Sequence, residues 1–262
     1  MNSNPDSEKP KAAPSRCLSN CVRFAVAQVM MAIYWPACVI LIIVVCMFSG
    51  IFLSKENHRI LGQKMLSLTL GGFITMLEWF GIIRVHDDDL KRHLDTPDPL
   101  ILACNHPALW DAPLIIRRIG RLSGIMKAEL LANPLLRHGA RFAGFLPNSP
   151  RMTMIRASLE RLSTGGRLLF FPEGTRTREE NGAVNPFRPG LALIAKESGV
   201  PIIPVFIRQD SPYLRKYWPI IRMPELPITI SLSLGEPVRA LPDESVRAFS
   251  ERLENIFRNE LE

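Results

Sequence analysis

Nothing in the sequence forms a disulfide framework. Its five cysteines are Cys17, Cys21, Cys38, Cys46 and Cys104, four of them before or within a single apolar stretch. Their spacings match neither paired bridges nor a zinc site, which excludes a stapled secreted scaffold and points to a reducing compartment. Acidic residues are in deficit, 25 against 32 Lys and Arg, for a formal net charge of +7. That balance favours anionic partners, whether lipid surfaces, phosphorylated substrates or nucleic acid. Tyrosine and tryptophan are scarce, at three and four, and the basic residues are not interleaved with a stacking aromatic platform, so nucleic acid is excluded as a partner. There is no internal repeat. The 47% hydrophobic content excludes a disordered chain, and 262 residues suit one catalytic-size domain, alone or with an appendage.

The longest absence is of charge itself. From Phe24 to Leu53, 30 residues pass without Asp, Glu, Lys, Arg or His, where about 20 suffice to cross a bilayer. A cleaved signal peptide would have a shorter apolar core followed by small residues, so the run is expected to anchor the chain in a membrane. Pro36 is expected to kink it, with Tyr34 and Trp35 at an interfacial level. A second apolar stretch, Met65 to Ile83, contains Glu78 and the Gly71-Gly72 pair and suits an interfacial or re-entrant helix better than a span. The leader carries Lys9, Lys11, Arg16 and Arg23, and the connector between the stretches carries Lys55, Arg59 and Lys64. With both flanks basic, a hairpin dipping into one leaflet from the cytoplasmic side is the simplest arrangement. The organisation expected is a disordered basic leader over 1–20, membrane-embedded helical segments over 21–83, and an α/β domain over 84–262.

After Asp87-Asp88-Asp89 the pattern alternates. Leu100–Cys104, Leu168–Phe171, Ile202–Ile207 and Ile228–Leu232 read as strands. Met152, Ile155, Leu159 and Leu162, followed by Gly165-Gly166, read as a helix with a stop signal; Asn185 to Gly199 and the series Val246, Phe249, Leu253, Ile256 read similarly. Strands alternating with helices make a layered α/β domain.

Chemistry-bearing residues gather where strands end. His106 follows Leu100–Cys104 directly, with Asp111 five residues on. In a continuous helix the two would stand roughly 140° apart. A turn at Pro107, with a helix starting near Ala108, would instead fold the carboxylate back onto the imidazole, fixing its tautomer while the other nitrogen takes a proton. The bland reading is a solvated loop histidine. At the next strand end, Phe170-Phe171-Pro172-Glu173-Gly174-Thr175-Arg176 offers a glycine for close backbone approach, a hydroxyl, and a guanidinium fork suited to phosphate. A plain polar turn is the alternative. Gly199-Val200-Pro201-Ile202-Ile203-Pro204 reads as the structural entry to a strand.

Together, Asn105-His106 with Asp111, Gly144-Phe145-Leu146-Pro147-Asn148-Ser149, Phe171 to Arg176 and Val200 to Pro204 resemble, in order and spacing, the glycerophospholipid acyltransferase family, which includes bacterial 1-acyl-glycerol-3-phosphate acyltransferases. The resemblance covers roughly residues 98–240. It implies a glycerol-3-phosphate acyltransferase-like layered domain that moves an acyl chain from a coenzyme A or acyl carrier protein thioester to the hydroxyl of a lysophospholipid. His106 would be general base and Asp111 its orienting partner, while Glu173, Gly174, Thr175 and Arg176 would hold the acceptor's polar head. Lys127 and Arg188 are further cations that could serve it, or could simply be solvated. It also implies no metal and no resident cofactor, membrane lipids as partners, and a bacterial inner membrane with the catalytic domain in the cytoplasm. One departure stands out. Where the family's second block ends in an arginine, this chain has Pro147-Asn148-Ser149, with an arginine only at Arg151. Arg151 substitutes for it, or the acceptor is another amphiphile, such as a lyso-aminolipid or glycolipid. A thioester hydrolase using His106 and Cys104 is the rival enzyme class, although the apolar neighbours of Cys104 favour a packed thiol.

Overall fold

Pro14, without an N–H to leave unpaired, opens the first helix. In the computed structural model, which describes residues 14–91, 99–219 and 221–262, α1 runs from Pro14 to Phe52. Residues 14–20 of the expected disordered leader are therefore helical, and its first 13 residues lie outside the described chain. The helix also continues through Pro36. Just before it the Tyr34 hydroxyl donates to the Thr69 carbonyl at 2.6 Å, and Trp35 packs on Phe73 with ring centroids 5.0 Å apart. These two aromatics thus face the next helix.

Ser54, whose side chain accepts from the Asn57 N–H, caps α2, Lys55–Trp79. The cationic connector and the second apolar stretch are therefore one helix. One face of it packs on the domain: Gly62, Gln63, Thr69, Leu70, Phe73, Ile74 and Leu77 are buried, and Gln63 and Ser67 bond to Ser123 and the Ile116 carbonyl at 3.1 and 2.9 Å. At Gly62 the backbones approach so closely that a Cβ would lie 2.3 Å from the Phe142 carbonyl oxygen.

The remaining elements are β1 (Ile83–His86), α3 (Asp88–Lys91), β2 (Leu100–Cys104), α4 (Asp111–Arg118), β3 (Leu122–Met126), α5 (Ala128–Ala132), α6 (Pro134–Phe142), β4 (Leu146–Pro147), α7 (Arg151–Ser163), β5 (Arg167–Phe170), α8 (Gly190–Ser198), β6 (Ile202–Gln209), β7 (Ile228–Leu234) and α9 (Val246–Leu261). The strands form one sheet in the order β1-β7-β6-β2-β5-β3-β4, antiparallel only between β6 and β7. The helix expected over Asn185–Gly199 is shorter, because Pro186 and Pro189 hold the chain out of helix until Gly190.

All five residues of β2 are buried. Leu100, Leu102 and Cys104 face a core shared with α1, α2 and α4, while Ile101 and Ala103 face one built with α7, α8 and α9. The fold is thus an α/β/α sandwich whose first layer includes the N-terminal helices. A domain starting at residue 84 is not what the chain builds, since β1 begins at Ile83 and pairs with β7, and Phe24, Ala27, Leu70 and Phe73 belong to the common core.

The opposite face of α1 is bare. Val22, Val29, Ile33, Ile40, Met47 and Ile51 are each more than half exposed, along a stripe of about 43 Å at ~1.5 Å per residue. By length and composition both α1 and α2 qualify to cross a membrane.

Candidate active site

Cys104 is the last residue of β2 paired to β6, and the Asn105 side chain then imitates a peptide unit. Its Nδ2 donates to the Ile207 carbonyl and its Oδ1 accepts from the Ile207 N–H, both at 2.8 Å. The ladder continues through a side chain, which frees the backbone to turn away and carry His106 off the sheet edge. The turn spans Asn105 to Trp110, and the next helix starts at Asp111, three residues later than the spacing suggests. Asp111 is nonetheless folded back. Its Oδ2 lies 2.7 Å from His106 Nδ1 and accepts the Ala108 N–H at 2.9 Å.

Three further contacts fix the histidine. The ring stacks on Phe171 with centroids 4.3 Å apart. The backbone N–H donates to Glu173 Oε1 at 2.7 Å, and the carbonyl accepts the Thr177 N–H at 2.7 Å. The imidazole itself stays partly open, with 20% of its side chain accessible.

Glu173 is turned inward. Besides the His106 N–H, it accepts the Thr177 hydroxyl on both oxygens at 2.9 Å and the Asn185 N–H at 2.9 Å. The Arg176 guanidinium donates to the carbonyls of Leu214 and Arg215 at 2.8 and 3.2 Å, tying the β5 exit to the β6–β7 connection. Gly174, at φ +68°, leaves room for Arg188, whose Nε would lie 2.9 Å from a Cβ there. Thr175 is half-buried beside it. Arg151 and Lys127 are exposed, at the starts of α7 and α5. Asn148, where an arginine was expected, accepts the Ala128 N–H at 3.2 Å and donates its own N–H to the Met126 carbonyl. The sequence singled out His106, Asp111 and the Glu173–Arg176 turn. It did not mark the positioning contacts of Asn105, Phe171, Thr177 and Asn185, which come from segments up to 102 residues apart.

Burial raises the Asp111 carboxyl above its ordinary range, against the pull of His106 and the Ala108 N–H. Burial likewise raises Glu173, against the Asn185 and His106 N–H groups. Cys104 is fully buried, and burial, with the Asp111 charge behind it, pushes its thiol far up. A thiol so held is a packed residue and not a nucleophile.

A histidine–carboxylate pair at the carboxyl end of a central parallel strand, followed by a polar turn at the end of the neighbouring strand, lies inside the span that matches a known family, described as Acyltransferase, over residues 82–208. Over those residues the chain is similar to the acyltransferase family. The chain is 36% identical over 113 residues to the lyso-ornithine lipid O-acyltransferase of Pseudomonas aeruginosa, covering 42% of this chain and 43% of the relative. It is 27% identical over 112 residues to a chloroplastic 1-acyl-sn-glycerol-3-phosphate acyltransferase of Brassica napus, 41% and 32% of the two chains. A human 1-acyl-sn-glycerol-3-phosphate acyltransferase beta shares 29% over 143 residues, 52% and 50%. The matches thus span from a third to half the length of these curated relatives. The crystal structure of the 1-acyl-sn-glycerophosphate acyltransferase PlsC from Thermotoga maritima superposes with a TM-score of 0.69 at 23% identity, covering 94% of this chain and 96% of that one. This likeness establishes that the acyltransferase domain and its N-terminal helices share one fold with that protein.

Proposed function

We propose that the chain is a membrane-bound O-acyltransferase that moves a fatty acyl group from a coenzyme A or acyl carrier protein thioester to the free hydroxyl of a lysophospholipid, 1-acyl-sn-glycerol-3-phosphate in the first instance. The observation that carries the reading is the 2.7 Å contact between His106 Nδ1 and Asp111. With Nδ1–H committed to the carboxylate, Nε2 is the basic nitrogen. It takes the acceptor's hydroxyl proton as the oxygen attacks the thioester carbonyl. The C–O bond forms, the C–S bond breaks, and the imidazolium returns the proton to the departing sulfur. The thioester is already activated, so the chemistry calls for alignment and proton transfer rather than a metal or a resident cofactor.

The bare stripe of α1 supports membrane binding. The helix is held to the domain near both ends, by Phe24 against Tyr213 and by Ile42 beside Gly139. This supports a helix lying along one leaflet. Because acyl thioesters are cytoplasmic, the site would face the cytoplasm, at a bacterial inner membrane.

A second acceptor has support of its own. Asn148 is engaged in capping α5 where an arginine would have met a phosphate, and the relative at 36% identity is named for a lyso-ornithine lipid. Purified protein assayed against both lyso-acceptors, with each thioester, decides the matter. Transfer to lysophosphatidate that is lost in His106→Ala supports the first reading, and transfer to the lyso-aminolipid alone replaces it. Release of free fatty acid without transfer would refute both.

A further inference from the structure

Arg59, near the start of α2, and Arg161, in the last turn of α7, meet over the turn that leads into β4. Gly144 forms the floor of the meeting point. At φ +72° it has no side chain to intrude, and a Cβ there would lie 2.7 Å from Arg59 Cδ and 3.3 Å from Arg161 Nη2. Two guanidiniums side by side repel each other, and here they are also short of acceptors. Arg59 Nε and Arg161 Nη1 are both buried without a hydrogen-bond partner. Among the described residues the one side-chain bond of the pair is donated by Arg59 Nη2 to the carboxylate of Glu56, 53% exposed, at 2.6 Å. Burial, with Arg59 alongside, holds the Arg161 guanidinium below its ordinary pKa. Buried donors on charged groups are costly when unmade, and a pair of cations with inward-facing unmet donors is built to be completed by an anion.

We propose that Arg59 and Arg161 bind a phosphate group. Two cationic side chains gathered at one turn, each with an unmet donor, suit a multiply charged tetrahedral oxyanion better than a single carboxylate. The site is separate from the acyl-transfer centre. Gly144 precedes β4 and Arg161 precedes β5, whereas His106 follows β2, so the two lie at opposite ends of the sheet. They are also three strands apart, about 14 Å at the usual strand spacing. A lipid headgroup is the source the surroundings favour. The pair lies just past the α1–α2 elbow, where Met47, Phe48, Ile51 and Phe52 are 64–79% exposed, and a bilayer places its phosphates at the boundary between such an apolar surface and water.

The test uses the full-length protein and does not depend on the acyl-transfer reading. Thermal unfolding is followed in phosphatidylcholine nanodiscs, in nanodiscs containing phosphatidylglycerol, and in detergent with inorganic phosphate. Phosphatidylglycerol is expected to raise the unfolding temperature of the wild type. R59Q and R161Q should each weaken the response to phosphatidylglycerol about tenfold, as for loss of a charged hydrogen bond, and leave transfer to a detergent-soluble acceptor unchanged. E56Q is the control for a merely structural cluster. It should strengthen the response, because it removes the competing carboxylate, whereas a structural ion pair would be weakened by it. Protection by inorganic phosphate equal to that by phosphatidylglycerol supports the site and assigns it to free phosphate. Equal protection of wild type and R161Q by phosphatidylglycerol, or no strengthening in E56Q, would overturn the proposal.

Discussion

The carboxylate of Glu173 holds the backbone N–H of His106 at 2.7 Å from 67 residues away, and it does so while receiving Thr177 and Asn185 as well. An acid in a phosphate-binding turn would be expected to face the ligand. This one is 3% exposed and acts on the histidine's main chain. Glu173 is thus a positioning residue. Glu173→Gln puts an amide among three donors, leaving at least one buried N–H or O–H without an acceptor. The expected result is a loss of about 1–3 kcal/mol in stability and a fall in kcat with KM for the thioester little changed. A variant with wild-type kcat would show that the contact does not position His106.

Asp111→Asn keeps the shape and an acceptor oxygen but removes the charge that stabilises the imidazolium and fixes its tautomer. The expected drop in kcat is about 10²–10⁴-fold, with the folded state retained. Activity measured alongside near-ultraviolet dichroism checks both halves. Full activity in a folded variant would remove Asp111 from the mechanism.

Asp87 ties β1 to α4. It accepts Arg117 at 2.9 Å and Arg118 at 2.5 and 2.8 Å, with 3% of its side chain exposed. Burial pulls its carboxyl up, but bonds from Arg118 and Arg117 outweigh that and hold it below the usual range. With the folded value below the unfolded one, the network adds stability above the ordinary carboxylate range and loses it as pH falls through that range. Asp87→Asn should therefore cost about 3 kcal/mol at neutral pH and less in acid. Denaturant melts at both pH values check this. A gap that stays constant would mean that the ion network is not its source.

Removing residues 1–83 should not yield a soluble folded core. Each of Leu70, Phe73, Ile74 and Leu77 is at most 7% exposed, and uncovering such side chains costs about 1.5–3 kcal/mol apiece. Phe73 also stacks on Trp110, the residue before Asp111, at 5.8 Å. A fragment from residue 84 that melts cooperatively would contradict this. A milder probe is Gly62→Ala, whose Cβ would meet the Phe142 carbonyl and should cost about 1–3 kcal/mol.

Strands with continuous apolar runs, such as β2 and β6, were legible because both faces of a strand inside a sheet covered by helices on both sides are buried. β1, reading Ile83-Arg84-Val85-His86, lies at a sheet edge and lacks that signature. The packing of α2 on the domain was hidden for a related reason. Hydropathy reports that a helix needs an apolar environment and does not distinguish lipid from protein, so it does not reveal that Leu70, Phe73, Ile74 and Leu77 pack into the shared core. At the site, His106 and Asp111 stood out because they are close in sequence. Asn105 with Ile207, and Glu173 with Asn185, depend on how strand ends meet, and no local pattern encodes that.

His106 is clamped at its ring face, its Nδ1, its N–H and its carbonyl, all by residues that stay inside the sheet's carboxyl edge. The exposed cations Lys127 and Arg151 stand on other elements, at the starts of α5 and α7. On the function proposed above, these cations would meet the headgroup from elements that do not carry the histidine, so sequence divergence around Asn148 is compatible with an intact His106–Asp111 pair.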